Sequence, residues 1–113
     1  MVTMKVDGLD VILKRLDQKP ARVQQAVSTV IARYALLIEA SAKKAAPVDT
    51  GNLRASIRTE LEALSAVIIS GADYSAYVEF GTSRMRAQPF MFPALEQHRN
   101  NFIQDLRKAI GDA

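Results

Sequence analysis

The sequence predicts an α+β fold in which a long N-terminal amphipathic helix and a C-terminal helix pack on a small antiparallel β-sheet. Apolar residues recur at helical spacing before residue 46 and again after residue 93, and between them they alternate with polar residues from 53 to 62. A chain of 113 residues is long enough for one domain with a modest core. We therefore expect a single domain spanning residues 1–113.

Composition excludes several classes of protein. The chain is 49% hydrophobic and 24% charged, has no cysteine and has one histidine, His98. These counts exclude disulfide frameworks, thiolate metal sites and multi-histidine metal sites. No apolar run approaches the roughly 20 residues that span a bilayer. We expect no cofactor and no membrane contact, and a protein used in a cytoplasm or in a particle assembled there.

The N-terminal part of the chain is predicted to be mainly helical. Residues 1–8 suit either an edge strand or an ordered arm, and residues 9–46 form the helical region, interrupted at Pro20. From Pro20 to about Ala46 the helix would be roughly 39 Å long, so part of it is expected to pack on a neighbouring subunit. Its apolar stripe comprises Val23, Val27, Val30, Ile31, Tyr34, Leu37, Ile38 and Ala45.

The helix is expected to end at a turn that contains an Asp-Thr-Gly tripeptide. Proline disfavours helical conformation in the residue before it, Asp and Asn side chains bond nearby backbone, and Gly allows positive φ. Asp-Thr-Gly also occurs in aspartic proteases, but there it follows an apolar strand of an all-β fold, so we reject that interpretation. The predicted turn residues are Pro47, Asp49, Thr50, Gly51 and Asn52.

Residues 53–71 are predicted to form a β-hairpin whose first strand begins at Leu53 and whose turn lies at 63–65. Tyr74 to Phe80 favours a short helix, followed by a polar loop over 81–89. A C-terminal helix over 93–111 is capped by Gly111. The aromatic residues around the loop are expected in the core. They are Tyr74, Tyr77, Phe80, Phe90 and Phe92.

No catalytic constellation is recognisable in the sequence. His98 has no nucleophile or carboxylate at a sequence spacing typical of a catalytic site. We expect it on the surface or at a subunit contact. Glu79 suits either a buried ion pair or a solvent-facing carboxylate. Arg84 and Arg86 in the loop would clamp a carboxylate of another subunit, contact DNA phosphates, or simply be solvated.

Charge is unevenly distributed along the chain. Residues 1–58 carry ten Lys/Arg and five Asp/Glu, a net +5, and residues 59–113 carry five and seven, a net −2. This polarity suits head-to-tail contact between subunits, and it leaves open a small basic DNA-binding protein as the alternative function. The basic surface of that alternative comprises Lys43, Lys44, Arg54 and Arg58.

Three segments in this order are similar to a known family: APVDTGNLRASI at 46–57, YSAYVEFGT at 74–82 and QPFMFPAL at 88–95. They resemble the tail-completion (head–tail joining, or neck) proteins of long-tailed phages and prophages. More narrowly, they resemble the gene-product-ten-like family of the Hong-Kong-type lambdoid phages. The resemblance covers about residues 5–110. Members often have proline in place of Arg86 and a basic residue in place of Phe92, which leaves the conformation and exposed chemistry of the loop open.

The resemblance implies a virion structural and assembly protein and not an enzyme. Its partners would be the head connector or adaptor and the tail terminator or tail tube, and it would act as a homo-oligomeric ring, with a hexamer fitting the tail symmetry. A subunit at this joint would lie close to DNA. Asp49 and Gly51 would form the turn before the hairpin, and Pro89 and Pro93 the start of the last helix. The residues expected at a partner interface are Arg84, Arg86, Gln88, Phe90 and Glu79.

Overall fold

The computed structural model describes residues 1–6, 18–47 and 51–111. Three strands and four helices follow one another in this part of the chain, which confirms the predicted α+β class. The helix expected from residue 9, and the turn residues Asp49 and Thr50, lie outside the described residues. The elements are β1 (Val2–Val6), α1 (Ala21–Ala45), α2 (Asn52–Ala55), β2 (Ile57–Leu61), β3 (Ala66–Ser70), α3 (Ser75–Phe80) and α4 (Met91–Gly111).

The sheet is antiparallel throughout, with strand order β1-β3-β2. Residues 2–6 are therefore an edge strand, one of the two alternatives that the sequence left open. Alternate residues of β1 are buried, as period-2 side-chain geometry requires. Met4, Ile68 and Thr59 lie opposite one another across the three strands, on the face that packs against α1.

Helix α1 buries the predicted stripe with two corrections. Leu37 is 42% exposed and Ala45 is also exposed, whereas Ala35 and Ala42 are buried in their place. The reason is the period of 3.6 residues per turn: Leu37 lies about 100° around the helix from Ile38, which faces the core. Pro20 precedes the helix and does not form its first residue.

The hairpin is shorter at its start than predicted. The chain forms one helical turn from Asn52 to Ala55, and the strand begins at Ile57, not at Leu53. Leu53 and Ile57 are both buried, and their separation of four residues suits a helix as well as an alternating strand. The alternation read from the sequence therefore continued one helical turn too far. The predicted turn at 63–65 does join β2 to β3.

Helix α3 forms at the predicted place, and α4 begins earlier than predicted. The first residue of α4 is Met91, so Pro93 lies in the first turn, where no intrahelical bond needs its missing N–H. Gly111 is the last helical residue and not a cap beyond the helix. Helix α4 packs along α1, where the rings of Tyr34 and Phe102 meet at a centroid distance of 5.4 Å.

Candidate docking surface

The loop over 81–89 begins at a glycine that no other residue can replace without strain. Gly81 has φ +76°, a conformation that side chains disfavour. A Cβ at this position would lie 2.8 Å from the nitrogen of Ala87 and 2.9 Å from the carbonyl oxygen of Met85. Both neighbours are backbone atoms, so the loop folds tightly back past Gly81 and a side chain there would displace it.

The loop is held by hydrogen bonds of its own. The N–H of Thr82 donates to the carbonyl of Met85 at 2.8 Å, and the N–H of Gln88 donates to the carbonyl of Val78 at 2.8 Å. The N–H of Arg84 donates to the hydroxyl of Thr82 at 3.1 Å. Every side chain from residue 82 to 89 is exposed. The backbone of the loop is thus ordered by internal bonds while its side chains point to solvent.

Glu79 and Phe90 do not belong to this exposed surface. Glu79 is 3% exposed and Phe90 is fully buried. The carboxylate of Glu79 accepts hydrogen bonds from the backbone N–H groups of Phe90, Met91 and Phe92, at 3.0, 2.9 and 3.1 Å. These are the groups that a helix leaves unpaired at its start. The expectation that Glu79 and Phe90 form a partner interface is therefore corrected: both hold the loop and α4 together from inside.

Most of the aromatic cluster predicted for the core lies outside it. Tyr77 is 59%, Phe80 62% and Phe92 44% exposed, and Tyr74 is also exposed. The rings of Phe80 and Phe92 lie 5.9 Å apart, centroid to centroid. Ser75 and Glu79 occupy the inner side of α3, so Tyr77 and Phe80 on the same short helix face outward.

The exposed aromatic residues adjoin the arginine loop, and together they form what we term the docking surface. Tyr77 and Phe80 lie three residues apart on α3, and the loop follows directly after Phe80. Aromatic residues, methionine and arginine are the residue types enriched at protein–protein interfaces and among their energetically dominant positions. The docking surface consists of Tyr77, Phe80, Arg84, Met85, Arg86 and Phe92.

The four residues of the predicted basic surface do not form a row of unengaged cations. Lys43 pairs with Glu39 at 3.7 Å, and Arg58 pairs with Glu60 at 3.7 Å. The Nε–H of Arg54 donates to the carbonyl of Lys43 at 2.7 Å, at the C-terminal end of α1. Only Lys44 is simply exposed. Three of these four cations therefore already have a partner within the described residues.

Two side chains that the sequence did not pair meet between the long helices. The hydroxyl of Ser41 and Nε2 of His98 are 2.8 Å apart. Both residues are half-buried, and among residues 18–47 and 51–111 no carboxylate bonds the other ring nitrogen to complete a triad. The pair therefore links α1 to α4. Sequence separation gave no signal for it, because the two residues lie 57 positions apart.

Cation and membrane sites are not found within the described ranges. Among these residues no group of three or more His, Asp or Glu side chains is placed to hold a metal ion. None of the described helices is both long and apolar enough to cross a bilayer.

Three residues of the predicted turn before the hairpin lie in the described part of the chain. Gly51 has φ +79°, Pro47 is half-buried and Asn52 begins α2.

Comparison with known proteins identifies the family. The family model described as "Bacteriophage HK97-gp10, putative tail-component" matches residues 10–81, which is more than half of the chain. No curated protein and no solved structure matches this chain. The matched range includes the turn, the hairpin and α3, and it ends where the loop begins. A family of phage tail components is structural and is not an enzyme family. Membership implies a place in the virion and contact with other phage structural proteins. The chain belongs to the HK97-gp10-like family of phage tail components.

Proposed function

We propose that this tail component joins the phage head to the tail, docking as one subunit of a ring. In this proposal one side of the ring contacts the head connector or adaptor, and the other contacts the tail terminator or tail tube. The protein folds in the host cytoplasm and is incorporated into the neck of the virion during assembly.

The docking surface is the observation that carries the proposal. It offers two arginines on the loop, two aromatic rings on α3 and a third, Phe92, at the start of α4, and the loop and α3 are already ordered by internal hydrogen bonds. A surface that is ordered before binding loses less conformational entropy when a partner arrives. Glu79 contributes to this order, because it ties the start of α4 to α3 beneath the loop.

A ring is supported by the shape and by a second exposed apolar area. The chain measures 51 × 20 × 19 Å, and an elongated subunit presents different surfaces to its two neighbours. Leu36 and Leu37 are 50% and 42% exposed on the outer side of α1. A contact between different faces of successive subunits closes into a ring when the rotation allows it. Six subunits is the number that fits the symmetry of a phage tail.

A deletion of the gene in its phage or prophage tests this role. We expect the lysate to contain DNA-filled heads and complete tails that do not attach to one another, as seen by electron microscopy. Addition of the purified protein to this lysate should then produce joined, infectious particles. Missing or misshapen tails in the deletion lysate would instead assign the protein to tail-tube assembly, and fully joined particles would contradict the proposal.

Duplex DNA provides the comparison for the other function that the sequence left open. A DNA-binding protein loses affinity steeply with salt, with a log–log slope of about −0.9 for each phosphate that it neutralises. We expect no such binding by the purified protein. Tight duplex binding with this slope, together with no effect of the protein on the deletion lysate, would replace the joining role by DNA binding.

A further inference from the structure

We propose that the docking surface binds the β2–β3 turn of a second copy of this chain, an inference that rests on the proposed ring. The turn and the end of β2 carry exposed acidic and apolar side chains, which we term the hairpin end. The hairpin end consists of Glu60, Leu61, Glu62 and Ala63.

The hairpin end has the opposite charge to the docking surface and also carries an exposed apolar side chain. Leu61 is 52% exposed at the end of a paired strand, and its side chain points to the opposite face of the sheet from that of Glu60. The backbone N–H of Glu62 donates to the carbonyl of Ser65 at 2.8 Å, which holds the turn in shape. The hairpin end thus offers two carboxylates and an exposed leucine, and the docking surface offers two arginines and exposed aromatic rings.

The carboxylates of the hairpin end remain able to accept an incoming guanidinium group. Glu60 pairs with Arg58 at 3.7 Å, but both side chains are more than half exposed. Such exposed pairs contribute little to stability. Glu62 accepts one hydrogen bond from the hydroxyl of Ser65 at 3.1 Å. A carboxylate has about four acceptor sites, so these contacts leave room for an arginine, which bonds carboxylates in a two-pronged geometry. Lys5 of β1 lies on the same face of the sheet as Glu60, about 10 Å from it across β3.

The two surfaces lie at opposite ends of the sheet. The hydroxyls of Ser70 and Ser75 are 2.7 Å apart, so α3 and the loop that follows it start from the Ser70 end of β3. The hairpin end lies at the other end of the same strand, where Leu61 pairs with Ala66. Five strand residues separate the two ends by about 16 Å. Because the two surfaces lie at separate places on the molecule, each subunit can bind one neighbour through each of them, and such a heterologous contact closes into a ring when the rotation allows it.

Two charge-reversal variants provide the test. The loop reversal is Arg84→Glu/Arg86→Glu, and the hairpin reversal is Glu60→Lys/Glu62→Lys. Self-association of the wild-type protein is measured by sedimentation velocity over a range of protein and salt concentrations. We expect wild-type self-association to weaken as salt rises. Each reversal alone should weaken it at least about tenfold, because like charges then face one another. All four exchanged positions are exposed. Circular dichroism verifies that each variant is folded.

Restoration distinguishes a direct contact from a general charge effect. The combined variant with both reversals should self-associate like the wild type, and an equimolar mixture of the two single reversals should associate with each other. A matched control, Arg22→Glu/Arg107→Glu, reverses two exposed arginines outside both surfaces and should leave association unchanged. A wild-type protein that stays monomeric throughout, reversals without effect, or a combined variant that is not restored would each overturn the inference.

The deletion lysate separates failure of this contact from failure of the joining role. If wild-type protein restores head–tail joining and both single reversals restore it equally well, the inference is wrong and the joining role stands. If the wild-type protein itself fails to restore joining, the joining role is wrong, whatever the sedimentation shows. We expect the wild type and the combined variant to restore joining, and each single reversal to fail.

Discussion

The carboxylate of Glu79 accepts the backbone N–H of Met91 at 2.9 Å, so a buried acid of α3 closes the start of α4. The same oxygen accepts the N–H of Phe90, and the other oxygen accepts that of Phe92. Three otherwise unpaired donors thus find a partner on another element, and a negative charge lies where the helix dipole favours it. The loop between these elements is closed at its base by this contact.

Replacement of Glu79 by Gln should destabilise the protein without any effect of volume. The amide keeps one acceptor oxygen but turns an NH₂ group toward backbone donors, so we expect a loss of about 1–3 kcal/mol in the free energy of unfolding. Urea denaturation followed by circular dichroism measures it. Glu96→Gln is the control, since Glu96 is exposed and only pairs with Arg99, and it should change stability by less than about 0.5 kcal/mol. Equal effects of the two substitutions would show that the Glu79 contacts carry no stability.

Alanine at the two positive-φ glycines should have unequal effects. Gly51 has open space where a Cβ would be, so Gly51→Ala should cost only the conformational penalty of about 1–2 kcal/mol. Gly81 combines φ +76° and ψ 177° with backbone atoms closer than 3.0 Å to a Cβ, so Gly81→Ala should cost clearly more. Thermal unfolding of the two variants compares them directly. A smaller loss at Gly81 than at Gly51 would contradict the tight fold of the loop.

Stability should fall at alkaline pH because of Tyr34. Its hydroxyl donates a hydrogen bond to Asp105, and this bond, together with burial and the nearby Asp105 charge, raises the pKa of Tyr34. The unfolded chain therefore loses its tyrosine proton first, at a pKa of about 10. The stabilisation is fully present below that pH and is lost as pH rises from there toward the folded pKa.

The variant Tyr34→Phe isolates this effect. It removes one hydrogen bond to a carboxylate, so we expect a loss of about 1–2 kcal/mol near neutral pH and a smaller decline in stability above the ordinary tyrosine pKa. Urea titrations at a series of pH values give both quantities. Tyr77→Phe, at an exposed tyrosine, should keep the alkaline decline of the wild type. An unchanged decline in Tyr34→Phe would exclude Tyr34 as its source.

Two adjacent residues of α1 should respond differently to truncation. Ile38 is 1% exposed, so Ile38→Ala should cost about 2–5 kcal/mol through lost burial and the cavity left behind. Leu37 is 42% exposed, and Leu37→Ala should cost less than about 1 kcal/mol. Chemical denaturation of both variants provides the measurement. A large loss at Leu37 would place it in the core, as the apolar stripe in the sequence first indicated.

Much of the fold could be predicted because the strongest signals are local. The long helix, the alternation after Ile57, the turn at 63–65 and the short helix before Gly81 all follow from spacing along the chain. The errors lie where two periods agree or where burial depends on a distant partner. Leu53 and Ile57 fit both a helix and a strand, so the boundary between them required the observed backbone.

The candidate site was less accessible from sequence than the fold. Its arginines were expected to be exposed in the loop, but the exposure of Tyr77, Phe80 and Phe92 was not, since aromatic residues are more often buried. Glu79 was expected either in an ion pair or in solvent. Glu79 is found in neither environment, because its partners are backbone N–H groups 11 to 13 residues away. Every residue except proline has such a group, so the sequence gives no sign of the contact.

The α+β class, most of the apolar stripe of α1 and the family could be predicted from the amino-acid sequence, because these depend on local periodicity and ordered motifs. Tertiary structure alone decided which way α3 faces, what Glu79 bonds, that Arg54 reaches the end of α1, and that Ser41 meets His98. The physical reason is that burial and hydrogen-bond partners are set by packing between elements far apart in the chain. The docking surface follows from that packing, since burying Ser75 and Glu79 on one side of α3 turns Tyr77 and Phe80 to the other.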